Sequence, residues 1–242
     1  IVAIGEAPED FYVEQVIDAT GLVVAPGLVD LSARLREPGF EYKATLESEM
    51  EAAVAGGVTS LACPPDTDPP LDEPGLVEML KHRARQLNQA NVYPIGALTQ
   101  QLQGKKLTEM AELHDAGCVA FSQADIPFEN NLALMRSLQY AATFDFPVWL
   151  RPRDHGLVAG GVAHDGEIAT RLGLPGIPVI AETVALSTML LLVKSTGARV
   201  HFCRISSASG LDMIRTAKQQ GLPVSCDVAI NNIHLTDMDI GF

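Results

Sequence analysis

A chain of 242 residues with 47% hydrophobic and 19% charged residues carries enough apolar material for one large packed domain, which excludes a fibrous or disordered chain. Its formal net charge of −13 argues against nucleic acid as a partner, because the phosphate backbone requires a basic face, and solvated acidic helix faces account for the excess. The four cysteines, Cys63, Cys118, Cys203 and Cys226, form no C-x-x-C pair and read as reduced, buried thiols, so a cytoplasmic location without signal peptide or membrane span is expected.

In chain order, "IVAIG" at the start has strand character but does not fit the period that follows. Residues 1–25 are therefore expected to be part of a small β subdomain, with Pro26 and Gly27 at the junction and residues 26–242 as the main unit. "LVDLSARL" predicts the first strand of that unit. Thr45 is placed to cap a helix in which Leu46, Met50, Ala53 and Val54 recur on one face, and Gly57 closes it ahead of "VTSLAC". "NVYPIGAL" is the third strand. Gly117 precedes "CVAFS", Pro147 opens "VWL", Gly197 precedes "ARVHFC", and Gly221 precedes "LPVSC". Leu211, Ile214 and Ala217 mark the helix before that last strand. Glycines there suit left-handed helix caps, and the apolar runs suit strands buried on both faces. "DHGLVAGGVAHDGE" and "LGLPGIP" read as a loop and turns.

Seven strands in one series, interleaved with helices, favour an α/β fold of the (β/α)8 TIM-barrel type over a doubly wound sheet. The series stops at "DIGF" before an eighth strand, so the barrel is expected to be truncated at its C-terminal end and the intact protein to be longer. Active sites of such barrels gather at the carboxyl ends of the strands. That directs attention to residues 32–39, 64–68, 122–125, 151–155, 204–207 and 227–232.

The stretch "APGLVDLSARLREPGFEYKATLESEMEAAVAGGVTSLACPPDT" resembles the opening of dihydroorotase and its relatives in the amidohydrolase superfamily. The resemblance continues through "GCVAFS", "HFCRISSASGLDMIRTAKQQG" and "VSCDVAINNIHLTDMD". In that family the first strand ends in His-x-His, which binds zinc; here those positions are Ser32 and Arg34. Gln123 stands where a metal-bridging acid follows Phe-Ser, with Asp125 two residues on. Arg151 of "RPRD" and Arg204 of "CRIS" replace ligand histidines, and Asn231 and Asn232 replace a His-His pair. Arg36 matches the arginine that contacts the substrate carboxylate, whereas Asp66 in "PDT" replaces a substrate-contacting Asn.

A guanidinium has no lone pair to offer a metal. A Zn²⁺ about 4 Å from one meets a repulsion of roughly 8 kcal/mol at an effective dielectric of 20. The resemblance therefore implies a chain with no catalytic residue, no metal or other cofactor, and no metal-bound hydroxide with which to open a cyclic amide. It also implies a partner. Inactive dihydroorotase-like chains serve in bacteria as non-catalytic subunits of aspartate carbamoyltransferase in pyrimidine biosynthesis, holding its catalytic chains, and homo-oligomer contacts are expected as well.

Two other readings use the same residues. Arg34, Arg151 and Arg204, joined by Arg36, would bind an anionic metabolite if they stood unpaired before a cavity. A residual amidohydrolase with an altered site, metal-independent or differently ligated, would show a bound metal or turnover of a cyclic amide. Pairing of the arginines with Asp30, Asp66, Asp154 and Asp227 is the simpler expectation, because buried charges persist mainly when paired. Asp66 beside Arg36 would then neutralise the old carboxylate site. Among the histidines, His82 and His114 lie on helix patterns, His201 reads as a hydrogen-bonded residue within a strand, and His155 with His164 offers a replacement metal pair. "RISSASG" lacks a nucleophile elbow and reads as a helix N-cap.

Overall fold

A computed structural model describes residues 4–5, 11–12 and 14–241 of the chain. The "IVAIG" segment lies largely outside the described residues, and those described between 11 and 27 form no strand. Seven parallel strands make the main sheet: β1 (Leu28–Asp30), β2 (Val58–Cys63), β3 (Asn91–Ala97), β4 (Ala120–Ser122), β5 (Val148–Leu150), β8 (Val200–Phe202) and β9 (Val224–Cys226). Their spatial order is the chain order. A doubly wound sheet would reverse direction at a switch point; this one curls on in a single sense, as a TIM-type barrel cut short.

Helices return the chain between strands. They are α1 (Leu46–Ala55), α2 (Pro74–Leu87), α3 (Met110–Ala116), α4 (Asn131–Thr143), α7 (Ile180–Thr196) and α8 (Ala208–Gln219). Thr45 caps α1 in a reciprocal box with Ser48, which satisfies two of the donors that a helix start leaves free. Gly117 and Gly197 hold the left-handed positions that end α3 and α7, where a Cβ would be strained.

The segment between β5 and β8 departs from the expected loop and turns. It folds as α5 (His155–Val158), β6 (Ala163–His164), α6 (Glu167–Leu172) and β7 (Gly176–Ile177), with β6 and β7 paired in a separate two-stranded parallel sheet. A last helix, α9 (Asn231–His234), follows β9.

Two cores result. The larger lies between sheet and helices, where Val148, Leu150, Val200 and Phe202 meet Leu138, Leu186, Val193 and Ile214. A smaller one fills the lumen side with Ala62, Ile95, Ala120 and the flanking Trp149. Strand alternation separates them: Val148 and Leu150 face the helices while Trp149 faces the lumen. Val54 and Leu211, expected on buried helix faces, are instead exposed. The periodicity that names a helix does not tell how far around the helix its neighbours reach.

Candidate functional site

Parallel strands deliver their carboxyl ends to one rim, and the residues just beyond them converge there. Arg34 follows β1, Asp66 follows β2, Asp125 follows β4, Arg151 follows β5, and Arg204 follows β8. Asp125 lies at the centre. Its Oδ1 accepts from Arg204 Nη2 at 2.6 Å and from Arg151 Nη1 at 3.1 Å, and its Oδ2 accepts from Arg34 Nη2 at 3.2 Å. Arg34 also donates through Nε to Asp66 Oδ2 at 2.8 Å. The five side chains are between 24% and 31% exposed, so the cluster closes the mouth from partway inside it.

The backbone is strained where it feeds this cluster. Arg36, Ala124 and Arg204 have φ of 65°, 51° and 56°, a left-handed region that costs a residue with a Cβ about 1–2 kcal/mol. At Ala124 the consequence is visible in the neighbouring side chains. Gln123 turns away from the mouth and is buried, accepting from Thr99 Oγ1 at 2.9 Å and donating to the Leu102 carbonyl at 2.7 Å. Asp125 is thereby swung to the rim, and Ser122 Oγ accepts from Ala124 N at 3.0 Å to hold the turn.

Charge follows geometry. Burial alone would raise the Asp125 pKa, but the guanidiniums of Arg204, Arg151 and Arg34 outweigh it and hold the carboxyl below its ordinary range. For Arg34, burial opposes the charge, and the hydrogen bond to Asp66 with the charges of Asp66 and Asp125 more than offsets it, so the group is more basic than usual. Burial pushes the Cys63 and Cys203 thiols up to about 12, which leaves both protonated and poorly nucleophilic at neutral pH.

Beneath the cluster the lumen, bounded by Ser32, Ile95, Trp149 and Cys203, retains a cavity of about 20 Å³. That is room for one water. A metal does not fit between Arg34, Arg151 and Arg204, because the space there is faced by guanidinium N–H groups, which are donors only. A larger cavity of about 330 Å³ opens beside the cluster, lined by Phe128, Arg151, Arg153, Asp154, His155 and Met189 among others.

Several expectations are revised. Asp66 pairs with Arg34 rather than Arg36, and Arg36 has no ion pair among the described residues. Asp30 accepts from the Ser32 backbone at 2.8 Å and Asp154 caps α5 through Leu157 N; neither pairs with an arginine. Asp227 binds His201 and the backbone N–H of Arg204, not its guanidinium. Gln123 serves the loop after β3, and Asn231 and Asn232 stand exposed on α9. Arg34, Arg151 and Arg204 do not form an open anion pocket, since Asp125 occupies all three. Ser207 caps α8 as expected, accepting from Gly210 N at 2.9 Å.

Asp125 as the common partner was not evident from the sequence, where the only signal was an acid two residues past a ligand position. Glu182 on α7 was also missed; it accepts from the backbone and hydroxyl groups of Ser206 and Ser207 and so fixes the loop that carries Arg204.

Residues 21–210 match the protein family described as Dihydro-orotase-like. The chain belongs to that family. A dihydroorotase-like protein of Pseudomonas aeruginosa is 52% identical over 237 residues, covering 98% of this chain and 56% of that protein. A dihydroorotase-like protein of Pseudomonas putida is 51% identical over 240 residues, with 99% and 57% covered. A dihydroorotase of Syntrophus aciditrophicus is 41% identical over 235 residues, with 97% and 54% covered. The dihydroorotase-like chain thus spans a little over half the length of these curated relatives. Among solved structures, an L-hydantoinase from Arthrobacter aurescens aligns at TM-score 0.83 and 23% identity, covering 98% of this chain and 54% of its own. Dihydroorotase from Saccharomyces cerevisiae aligns at TM-score 0.67 and 15% identity, with 90% and 60% covered. These two establish the shared fold.

Proposed function

We propose that this dihydroorotase-like chain is non-catalytic and acts as a structural subunit, assembling and stabilising aspartate carbamoyltransferase in pyrimidine biosynthesis in the cytoplasm. The observation that supports it most is the grip of Arg34, Arg151 and Arg204 on Asp125. These arginines stand where the family resemblance calls for metal ligands, and the resemblance puts Ser32, Gln123, Asn231 and Asn232 at four further ligand positions. Neither a cyclic amide nor a hydroxide-bearing metal has room in about 20 Å³. The core, the caps and the strand order remain intact around that closed mouth, as befits a chain retained for its surface.

The test uses the purified full-length protein and aspartate carbamoyltransferase from the same organism, mixed and run on size exclusion with light scattering while both activities are assayed. One large complex with carbamoyltransferase activity and no dihydroorotase activity is expected. Two unmixed peaks would overturn the partner, and turnover of dihydroorotate would overturn the loss of catalysis.

A second reading, binding of a small anionic metabolite, draws support from the cavity of about 330 Å³. Its Arg153 has no ion-pair partner among the described residues. Calorimetric titration with carbamoyl aspartate tests it; saturable heat abolished by Arg153→Ala is the expected result, and absence of heat would sink it.

A further inference from the structure

We propose that His201, Cys203 and Asp227 form a divalent-metal site that ties β8 to the segment after β9, at residues distinct from the family's ligand positions. Three ligand atoms of different character, an imidazole nitrogen, a thiol sulfur and a carboxylate oxygen, lie within 4.8 Å of one another. In a tetrahedral zinc site with bonds of about 2.0–2.3 Å, ligand atoms stand about 3.3–3.8 Å apart, so small side-chain adjustments close the set. Among the described residues this is the only such group; His155 and His164 are not brought into one.

The strands place these groups. On β8, Val200 and Phe202 pack into the core, so His201 and the following Cys203 share the opposite, lumen-facing side. The parallel register sets His201 against Ser225 and Phe202 against Cys226. One step further along the same register brings Cys203 level with Asp227.

Supporting contacts orient the donors. Ser225 Oγ lies 2.9 Å from His201 Nδ1, and His201 Nε2 lies 3.2 Å from Asp227 Oδ2. In the metal-free chain Nε2–H donates to Asp227 and Nδ1 accepts from the Ser225 hydroxyl; a cation on Nε2 moves the imidazole proton to Nδ1, where Ser225 Oγ accepts it. A hydrogen bond to the far nitrogen is the usual way in which a ligand imidazole is held. The Trp149 ring, 5.3 Å from that of His201, packs the imidazole from the neighbouring strand. Asp227 Oδ1 accepts the Arg204 backbone N–H, while the Arg204 guanidinium reaches away to Asp125 at 2.6 Å.

Binding breaks the Cys203 S–H bond and forms a sulfur–metal bond, with the proton released to solvent; coordination deprotonates even a buried thiol. Thiolate and imidazole together favour zinc-like ions over magnesium or calcium. Its role is structural, a clamp across two strands.

The test titrates metal-free full-length protein with Co²⁺ alone and reads the near-ultraviolet thiolate-to-cobalt absorption and the visible bands of tetrahedral cobalt. Saturation at one ion per chain and displacement by Zn²⁺ but not Mg²⁺ are expected. Cys203→Ser should abolish the near-ultraviolet band and His201→Gln should weaken binding tenfold or more, while Cys226→Ser leaves both unchanged. Asp227→Asn repeats the test from the other side should either variant unfold, as judged by its circular dichroism. Absence of a thiolate band in the folded wild type, or its survival in Cys203→Ser, would overturn the site. The result is independent of carbamoyltransferase binding.

Discussion

Asp125 and Arg204 stand 79 residues apart in the chain and 2.6 Å apart at the barrel mouth. That contact joins the end of β4 to the end of β8, across β5, whose own Arg151 shares the same carboxylate oxygen. One acid therefore neutralises charge from three strands, and its removal should be felt by all of them.

Asp125→Asn leaves three guanidiniums without their shared counter-charge. Breaking a buried pair by deleting one partner costs about 3–5 kcal/mol, and a cluster about a quarter to a third exposed should lose less, about 2–3 kcal/mol. Urea unfolding of wild type and variant measures it. A loss below about 0.5 kcal/mol would mean that solvent already screens the cluster.

The acid limb of stability should carry the signature of Asp125 and Asp227. Both carboxyls are held below their unfolded pKa of about 3.9. Their contribution is then fully present above that value and is lost as pH falls through the lower folded pKa. We expect a plateau above about pH 5 and a decline below about pH 4, shallower in Asp125→Asn. Equal acid limbs in the two proteins would contradict the shift.

Gly96 on β3 meets the packing between sheet and helices so closely that a Cβ there would lie 2.8 Å from Phe121 Cε1 and 3.2 Å from Cys118 Sγ. Phe121 is fully buried and leans on Phe146 at 5.2 Å between centroids, so it has little freedom to yield. Overpacking of this kind costs about 1–3 kcal/mol. Gly96→Ala should lower the unfolding midpoint accordingly, and an unchanged midpoint would show that the ring can move.

Glu182→Gln tests the support behind Arg204. The wild-type carboxylate accepts four hydrogen bonds, two at 2.8 Å from Ser206 and two at 3.1 and 2.5 Å from Ser207. Charged acceptors contribute about 1.5–3 kcal/mol per bond removed, and the amide keeps part of that set. A loss of about 2 kcal/mol in chemical denaturation is expected.

Histidines placed after the first strand should not confer dihydroorotase activity. In Ser32→His/Arg34→His the guanidiniums of Arg151 and Arg204 still occupy Asp125, so the rim stays without a complete ligand set. No dihydroorotate hydrolysis is expected in excess zinc, and measurable turnover would show that Arg151 and Arg204 leave room for a working site.

Much of the fold was legible in local chemistry. Thr45 caps α1, Gly117 and Gly197 end helices in the left-handed region, and each apolar run after such a stop became a strand of the main sheet. These features depend on residues within a few positions of one another, and backbone sterics and hydrogen-bond satisfaction act at that range. The β5–β8 connection was not legible, because two-residue strands such as β6 and β7 have no period to detect. The exposure of Val54 and Leu211 was hidden for a related reason: a helical stripe shows which face is apolar but not how much of it a neighbour covers.

The site divided along the same line. The residue types at Arg34, Arg151 and Arg204 determined by themselves that the rim carries guanidiniums. Only the tertiary structure decided what those charges do. The left-handed turn at Ala124 sends Gln123 into the loop and Asp125 to the centre, and strand order brings Arg34, Arg151 and Arg204 to within hydrogen-bond reach of it. Composition carries the sign of a charge locally, but its partner is chosen by distance, and distance between residues 79 positions apart exists only once the sheet has curled.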